Sequence, residues 1–156
     1  MTPFTDQNTL PMEKTGIEEH LNRYGTLLFT NQGSSMRPLI RQGKDAFVIQ
    51  KKGPERCNKY HAVLYKCGGK YILHRILQVR EQDYVICGDN CFRREYGITD
   101  QDILGIMTEV IRGGKSVKVT HRGYLLYVHL WCDFFPVRAA LLGLRSLLAG
   151  IVRKLI

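Results

Sequence analysis

Short apolar runs alternate with turn-forming residues between Thr26 and Thr120, and this pattern constrains the fold more than any other feature. The runs are rich in Val, Ile, Leu and Tyr, and Gly, Asn, Pro or charged residues separate them, which is typical of antiparallel strands. The predicted strands are 26–30, 45–51, 61–67, 71–80, 83–88, 103–111 and 116–120, with turns at Gly53-Pro54, Gly68-Gly69 and Gly113-Gly114. The Gly68-Gly69 pair predicts a two-residue hairpin that places His74 in the returning strand. We therefore expect a mainly β chain built on an antiparallel β domain.

The two ends of the chain predict helices. Before the first strand there is room for one short helix, with Thr15 as its N-cap and Glu18 completing a capping box. After Arg122 the sequence becomes apolar with regularly spaced arginines, and Pro136 suits the start of an amphipathic helix over 136–156. These features predict a β domain with its N-terminal helix over 1–122 and a helical tail over 123–156.

The predicted tail helix separates apolar from basic side chains. At 100° per residue, its apolar face carries Val137, Ala140, Leu141, Leu144, Leu147, Leu148, Ile151, Val152 and Leu155. Its opposite face carries Arg138, Arg145, Ser146, Gly150, Arg153 and Lys154. A helix lying in the membrane interface keeps every arginine in water, which favours a membrane surface as the partner of 136–156. The same apolar face would also suit packing on the β domain or on a second copy, and the sequence leaves both alternatives open.

The basic composition does not by itself identify a partner. The formal net charge is +9, but nucleic-acid binding needs a basic patch on a recognisable binding element. Residues 1–25 hold a single short helix, which is too little for a helix-turn-helix. We therefore expect no nucleic-acid partner.

The cysteines indicate reduced thiols rather than a disulfide framework or a metal site. They are five in number and show no Cys-x-x-Cys spacing, so neither a closed disulfide set nor a zinc site is indicated. This usage is typical of a cytosolic protein, and Cys87 and Cys91 are expected to be small buried apolar side chains. The sequence predicts no cofactor and no metal.

Residues 33–40 place a Ser-Met pair between a glycine and a proline, directly after the first predicted strand. Gly33 permits unusual backbone angles before the serines, and Pro38 prevents a helix or central strand from continuing. A serine hydroxyl in such a turn can sit exposed beside free backbone N–H groups, as a nucleophile requires. Alone, the segment fits an ordinary polar turn equally well, because Gly and Ser are common in turns.

Three further segments follow this turn in order, and together they support a functional interpretation. They are Gly43-Lys44-Asp45 opening the next strand, His74-Arg75 inside a later strand, and Gly88-Asp89-Asn90 after another. With the Ser-Met-x-Pro segment they resemble the superfamily of signal peptidase I and the LexA-like self-cleaving repressors. The His-Arg pair is similar to the histidine branch of endoplasmic reticulum and archaeal signal peptidases, whereas bacterial signal peptidases and LexA carry a lysine base. The resemblance covers roughly residues 24–112, where Asp102-Ile103-Leu104-Gly105 looks like the family's closing strand.

The resemblance implies roles for four residues. Ser35 would be the nucleophile, His74 the general base, and Asp89 the acid that orients the imidazole. The Ser35 backbone N–H would stabilise the oxyanion, with the neighbouring Ser34 hydroxyl as a second donor. The chain departs from the family here, because Gly33 stands where many signal peptidases carry the hydroxyl that supplies this donor. Glu95 is the alternative to Asp89, since it is the acid that follows the Gly-Asp-Asn segment.

Two other charged residues have structural interpretations. Asp45 is expected to be structural at the start of its strand. Arg75 is expected to point to the face opposite His74, where it can pair with a carboxylate.

The resemblance implies the activity of a serine endopeptidase, which cleaves near small residues in an extended peptide laid against a β edge. Residues 1–25 show neither a membrane anchor nor a secretory signal, which favours specialised peptide or protein maturation at the cytoplasmic membrane face. A non-catalytic peptide-docking or membrane-tethering module on the same fold is the first alternative. The second is LexA-like self-cleavage, indicated by the small-residue bond Ala149-Gly150.

Overall fold

Eight antiparallel strands form one sheet in the computed structural model, which describes residues 16–30, 33–138, 140, 142–145 and 148. The strands are β1 (Thr26–Thr30), β2 (Asp45–Lys51), β3 (Ala62–Cys67), β4 (Lys70–Val79), β5 (Tyr84–Cys87), β6 (Glu95–Ile98), β7 (Ile103–Arg112) and β8 (Lys115–Lys118). Their order in the sheet is β1-β2-β7-β3-β4-β5-β6, and β8 pairs with β7. The predicted mainly antiparallel β fold is thus confirmed.

The predicted strands agree with the observed ones to within two residues at each end. Gly68 and Gly69 have φ angles of 56° and 77°, which glycine adopts without the clash that a Cβ would cause. They join β3 to β4 in the predicted hairpin, in which Val63 pairs with His74. The sequence missed β6, whose four residues pair with β5.

The N-terminal helix α1 spans Ile17–Tyr24 and packs Leu21 into the core. The predicted capping box is wrong, because Gly16 occupies the N-cap position and no side chain caps the helix. Glu18 reaches instead to Lys66 on β3, with an Oε1–Nζ distance of 2.6 Å. Thr15 lies outside the described residues.

Alternate side chains of β3 point to opposite faces of the sheet, and each face has its own apolar core. Ala62 and Leu64 belong to the cluster that includes α1 and the first strands. Val63 and Tyr65 belong to a second cluster with Ile86 of β5. The central strands are therefore buried on both faces, and a polar side chain on them needs a polar partner.

A helix follows the sheet within the predicted helical tail, but it lies before Pro136, where the sequence predicted the tail helix to start. Helix α2 spans Arg122–Asp133, and His121 caps it by accepting a hydrogen bond from the Gly123 N–H. Tyr124, Val128 and Cys132 recur every four residues along α2 and are all buried in the first apolar cluster. The predicted boundary at residue 122 therefore falls inside a packed unit, since α2 contributes side chains to the core of the β domain.

A second helix, Phe135–Arg145, follows α2. The face that it buries is not the face that the sequence predicted to be buried. Arg138 was expected on the solvated face but is only 4% exposed, whereas Val137, expected on the apolar face, is 58% exposed. The Arg138 guanidinium lies over the rings of Trp131 and Phe135 and donates to the Cys91 carbonyl oxygen at 3.2 Å. Aromatic stacking and this hydrogen bond compensate part of the cost of burying the arginine, although Arg138 Nε and Nη1 have no hydrogen-bond partner among the described residues. Residues 149–156 of the predicted tail lie outside the described residues.

In the part of the chain that the structure describes, no single helix combines the length and the apolar character needed to cross a membrane. Among the described residues, the two helices Arg122–Asp133 and Phe135–Arg145 meet that requirement of length and composition when taken together, across a bend of 77°.

Candidate active site

The Ser35 segment is held in place by the side chain that follows it. Met36 is fully buried in the first apolar cluster, as is Ile40, whose N–H donates to the Met36 carbonyl oxygen at 2.9 Å. This single helical turn carries a cis peptide bond between Arg37 and Pro38. Burial of Met36 fixes the backbone at Ser35, which is itself partly exposed.

The base of the same loop is fixed by the carboxylate of Asp45. This side chain is buried at the start of β2, and Arg41 and Arg112 both donate hydrogen bonds to it, at distances of 2.9 Å or more. The hydrogen bonds from Arg41 hold the pKa of Asp45 well below its ordinary range. Asp45 is therefore structural, as the sequence indicated.

The His-Arg pair of β4 divides its two side chains between the two faces of the sheet. His74 is 7% exposed and lies beside Tyr65, whose side chain belongs to the second apolar cluster. Arg75 is fully buried on the other face, where its guanidinium contacts Tyr124 of α2. The alternation of side chains along a strand predicted this separation.

Glu95 is the acid that contacts His74. Its Oε1 lies 2.7 Å from His74 Nδ1, and its Oε2 accepts a hydrogen bond of 2.6 Å from the Tyr65 hydroxyl. Glu95 opens β6, the strand that the sequence missed, and pairing with β5 carries it to the ring. The Tyr65 hydroxyl therefore fixes the carboxylate, and the carboxylate in turn orients the imidazole.

This arrangement sets the protonation state of His74. Burial lowers the pKa of His74 below its ordinary value of 6.5, against the opposing effect of the Glu95 carboxylate. The neutral ring carries one proton, and Glu95 draws it to Nδ1 because a carboxylate can only accept. Nε2 is then left with a free lone pair, as a general base requires.

Gly88 allows the Ser35 segment to approach this lone pair. The position that a Cβ would occupy at residue 88 lies 2.7 Å from the Ser35 carbonyl oxygen and 2.9 Å from His74 Nε2. A real side chain at residue 88 would have to displace one of these groups. The glycine of the Gly-Asp-Asn segment is therefore required for the Ser35 carbonyl oxygen and His74 Nε2 to occupy their positions beside residue 88.

Asn90 fixes the backbone of both serines. Its N–H donates to the Ser35 carbonyl oxygen at 2.7 Å, and its side-chain amide donates to the Ser34 carbonyl oxygen at 3.2 Å. Ser34 is exposed, and the Ser35 hydroxyl makes no hydrogen bond to another described residue. The hydroxyl therefore remains available to a substrate or to His74 Nε2.

Asp89, the predicted orienting acid, is placed elsewhere. Its carboxylate accepts two hydrogen bonds from Arg75, both at 2.8 Å, and neither side chain is exposed. Tyr127 of α2 also donates to this carboxylate at 2.9 Å, and the Trp131 indole N–H donates to the Asp89 carbonyl oxygen at 2.6 Å. The structure thus gives the orienting position to Glu95, because the Asp89 oxygens are directed at Arg75 and α2. Asp89 braces the loop that carries Gly88 and Asn90.

Cys91 lies beside the candidate site, although the sequence predicted it to be only a small buried apolar side chain. Its Sγ lies 2.9 Å from the Cβ position of residue 88, so it faces the same point as His74 Nε2. Burial raises the pKa of the Cys91 thiol above its ordinary value, which keeps it protonated and weakly nucleophilic. Its position right after the Gly-Asp-Asn segment was the available sequence signal.

Comparison of the chain with protein-family models, with curated proteins and with solved structures found no match. The site is therefore interpreted from its own geometry.

Proposed function

We propose that the protein is a serine endopeptidase that uses Ser35 as nucleophile and His74 as general base. The observation that carries this proposal is the placement of His74, whose Nδ1 lies 2.7 Å from Glu95 Oε1, while its Nε2 and the Ser35 carbonyl oxygen both lie within 2.9 Å of the Cβ position of residue 88. A nucleophile, a base and an acid that orients the base are the three parts of a serine hydrolase site. The sequence resemblance to histidine-type signal peptidases supports the same assignment independently.

The proposed reaction runs through an acyl-enzyme. Ser35 Oγ attacks the carbonyl carbon of the scissile peptide bond while His74 Nε2 takes the hydroxyl proton. The Ser35 N–H and the Ser34 hydroxyl donate to the oxyanion, and the proton on Nε2 passes to the leaving amine as the C–N bond breaks. A water molecule, deprotonated by His74, then hydrolyses the ester and restores Ser35. Glu95 stabilises the imidazolium that forms in both steps.

The helical C-terminal part is proposed to contact a membrane surface, with a second copy of the chain as the alternative. Large apolar side chains are exposed on α2 and on the helix after it, where Leu126 is 62% and Val137 is 58% exposed. The exposed Arg145 on the second helix would attract anionic headgroups. Substrate maturation at a membrane surface would follow from this placement.

A pH series of peptide-library digestions tests the function and the role of Glu95 together. The wild type is expected to cut library peptides near small residues, and its kcat/KM should fall on acidification with a midpoint below 6.5, since burial lowers the pKa of His74. Glu95→Gln should lower kcat by roughly 10²- to 10⁴-fold, because the neutral amide neither fixes the tautomer nor stabilises the imidazolium. The midpoint should also move to lower pH, because the carboxylate that raises the pKa of His74 is lost.

Glu81→Gln is the matched control, because it makes the same isosteric change at an exposed position. It should retain the wild-type kcat and midpoint. Absence of library cleavage by the folded wild type would contradict the peptidase proposal. Unchanged kinetics in Glu95→Gln would contradict the role of Glu95.

A further inference from the structure

A basic pocket adjoins the Ser35 loop on the side of α2. Its volume is about 510 Å³, and Ser34, Asn90 and Trp131 form its wall toward the candidate active site. The other side chains that line it include four cations, Arg37, Arg41, Lys44 and Arg145, and none of the described residues that line it is acidic. The proposed chemistry at Ser35 makes no use of these cations.

The charge of the pocket is largely uncompensated. The side chains of Arg37 and Lys44 have no ion-pair partner among the described residues. Arg41 is paired with Asp45, but that carboxylate is shared with Arg112. Several like charges around one concave surface raise the local potential, and such a surface attracts ligands of opposite charge.

The pocket is also pre-formed. Asp45 anchors the Arg41 side chain, and the Trp131 indole N–H is fixed on the Asp89 carbonyl oxygen at 2.6 Å. Asn90, on the same wall, holds the Ser34 carbonyl oxygen. A ligand that enters the pocket therefore meets walls already positioned relative to the nucleophile, which reduces the ordering cost of binding.

We propose that this pocket is a specificity subsite that binds the carboxylates of an acidic stretch in the peptide substrate, next to the bond that Ser35 cleaves. The inference rests on the proposed function and names its substrate class. The four cations that line about 510 Å³ carry more positive charge than a single carboxylate neutralises. The C-terminal carboxylate of a peptide would therefore fill only part of the pocket. The apolar walls of Trp131 and Leu142 would contact the methylene groups of glutamate side chains.

The experiment uses three C-terminally amidated peptides that share one cleavable core and carry Glu, Gln or Lys at the flanking positions. Wild-type kcat/KM is measured for each, and the full-length Ser35→Ala protein is used to measure Kd by fluorescence anisotropy. The Glu peptide should be preferred over the Gln peptide by up to about fivefold for each carboxylate bound, and the preference should shrink as salt screens the charges. Arg37→Gln with Lys44→Gln should remove most of the preference, whereas Lys70→Gln at the start of β4, outside the pocket, should retain it.

The outcomes separate this inference from the proposed function. Binding of the Glu peptide that depends on Arg37 and Lys44, without cleavage of any peptide, would support the pocket and contradict the peptidase. Cleavage of Glu and Gln peptides with equal kcat/KM would overturn the pocket alone. If Lys70→Gln loses as much of the preference as the double variant, the pocket would also be overturned, because the total charge of the protein would then explain the preference. Sedimentation with phosphatidylglycerol vesicles is a separate measurement. If the double variant loses vesicle binding but keeps the peptide preference, the cations bind lipid headgroups rather than the peptide, and the subsite is overturned.

Discussion

Replacing Ser35 by alanine is expected to abolish peptide cleavage, with a loss in kcat on the order of 10⁶-fold, as when the nucleophile of a serine peptidase is removed. The change deletes the oxygen that forms the acyl-enzyme. The fold should be retained, because the hydrogen bond from Asn90 to residue 35 uses the backbone carbonyl and Met36 still anchors the turn. Cleavage of a library-derived peptide and thermal unfolding of the two proteins would be measured side by side.

Ser34→Ala is the control at the adjacent position. It retains the nucleophile and removes only the second oxyanion donor, so its loss in kcat should not exceed about 10²- to 10³-fold. If the two variants lose activity equally, the assignment of the nucleophile to Ser35 would not stand. Full activity in Ser35→Ala would exclude it outright.

Replacing Asp89 by alanine should lower the free energy of unfolding by about 3–5 kcal/mol, the usual cost of leaving a buried ion without its partner. The Arg75 guanidinium is fully buried and would keep only the Tyr60 carbonyl oxygen and the Tyr124 hydroxyl as partners. Urea unfolding at neutral pH measures the loss. The double variant Arg75→Met with Asp89→Asn should be destabilised less than Asp89→Asn alone, because it removes both charges.

An exposed ion pair provides the comparison for Asp89. Glu18 pairs with Lys66 where both side chains are more than 40% exposed, so Glu18→Ala should cost far less stability than Asp89→Ala. Equal losses in the two variants would show that Asp89 does not brace the site. If folded Asp89→Ala has normal stability but no activity, the result would instead support the predicted role of Asp89 in catalysis.

The strands were predictable because burial on one or both faces leaves a period of two, or a short apolar run, in the sequence. Strand β6 escaped detection because it is only four residues long, from Glu95 to Ile98, and contains a charged residue and a glycine. Helix α2 was predicted only as part of a helical tail, without bounds of its own, because exposed Leu126 and Leu130 surround the buried Tyr124 and Val128. The helical period is hidden when apolar residues lie on every side.

The choice between Asp89 and Glu95 could not be made from the sequence, because the two acids are six residues apart in one loop region. Strand pairing decides it, since β6 pairs with β5 and brings Glu95 to the ring of His74. The position of Arg75 was predictable from strand alternation, but its pairing with Asp89 was not. The burial of Arg138 depends on Trp131 and Phe135 coming together around it, which no local pattern records.

Covalent labelling of Ser35 tests the central claim most directly. A fluorophosphonate probe forms a bond between phosphorus and a nucleophilic oxygen as fluoride leaves, and only a serine activated by a base reacts quickly. The account predicts that peptide mapping by mass spectrometry finds the adduct on Ser35 of the wild type and that folded His74→Ala reacts at least about 10²-fold more slowly. No adduct on Ser35, or equal labelling of Ser35 in wild type and His74→Ala, would contradict it.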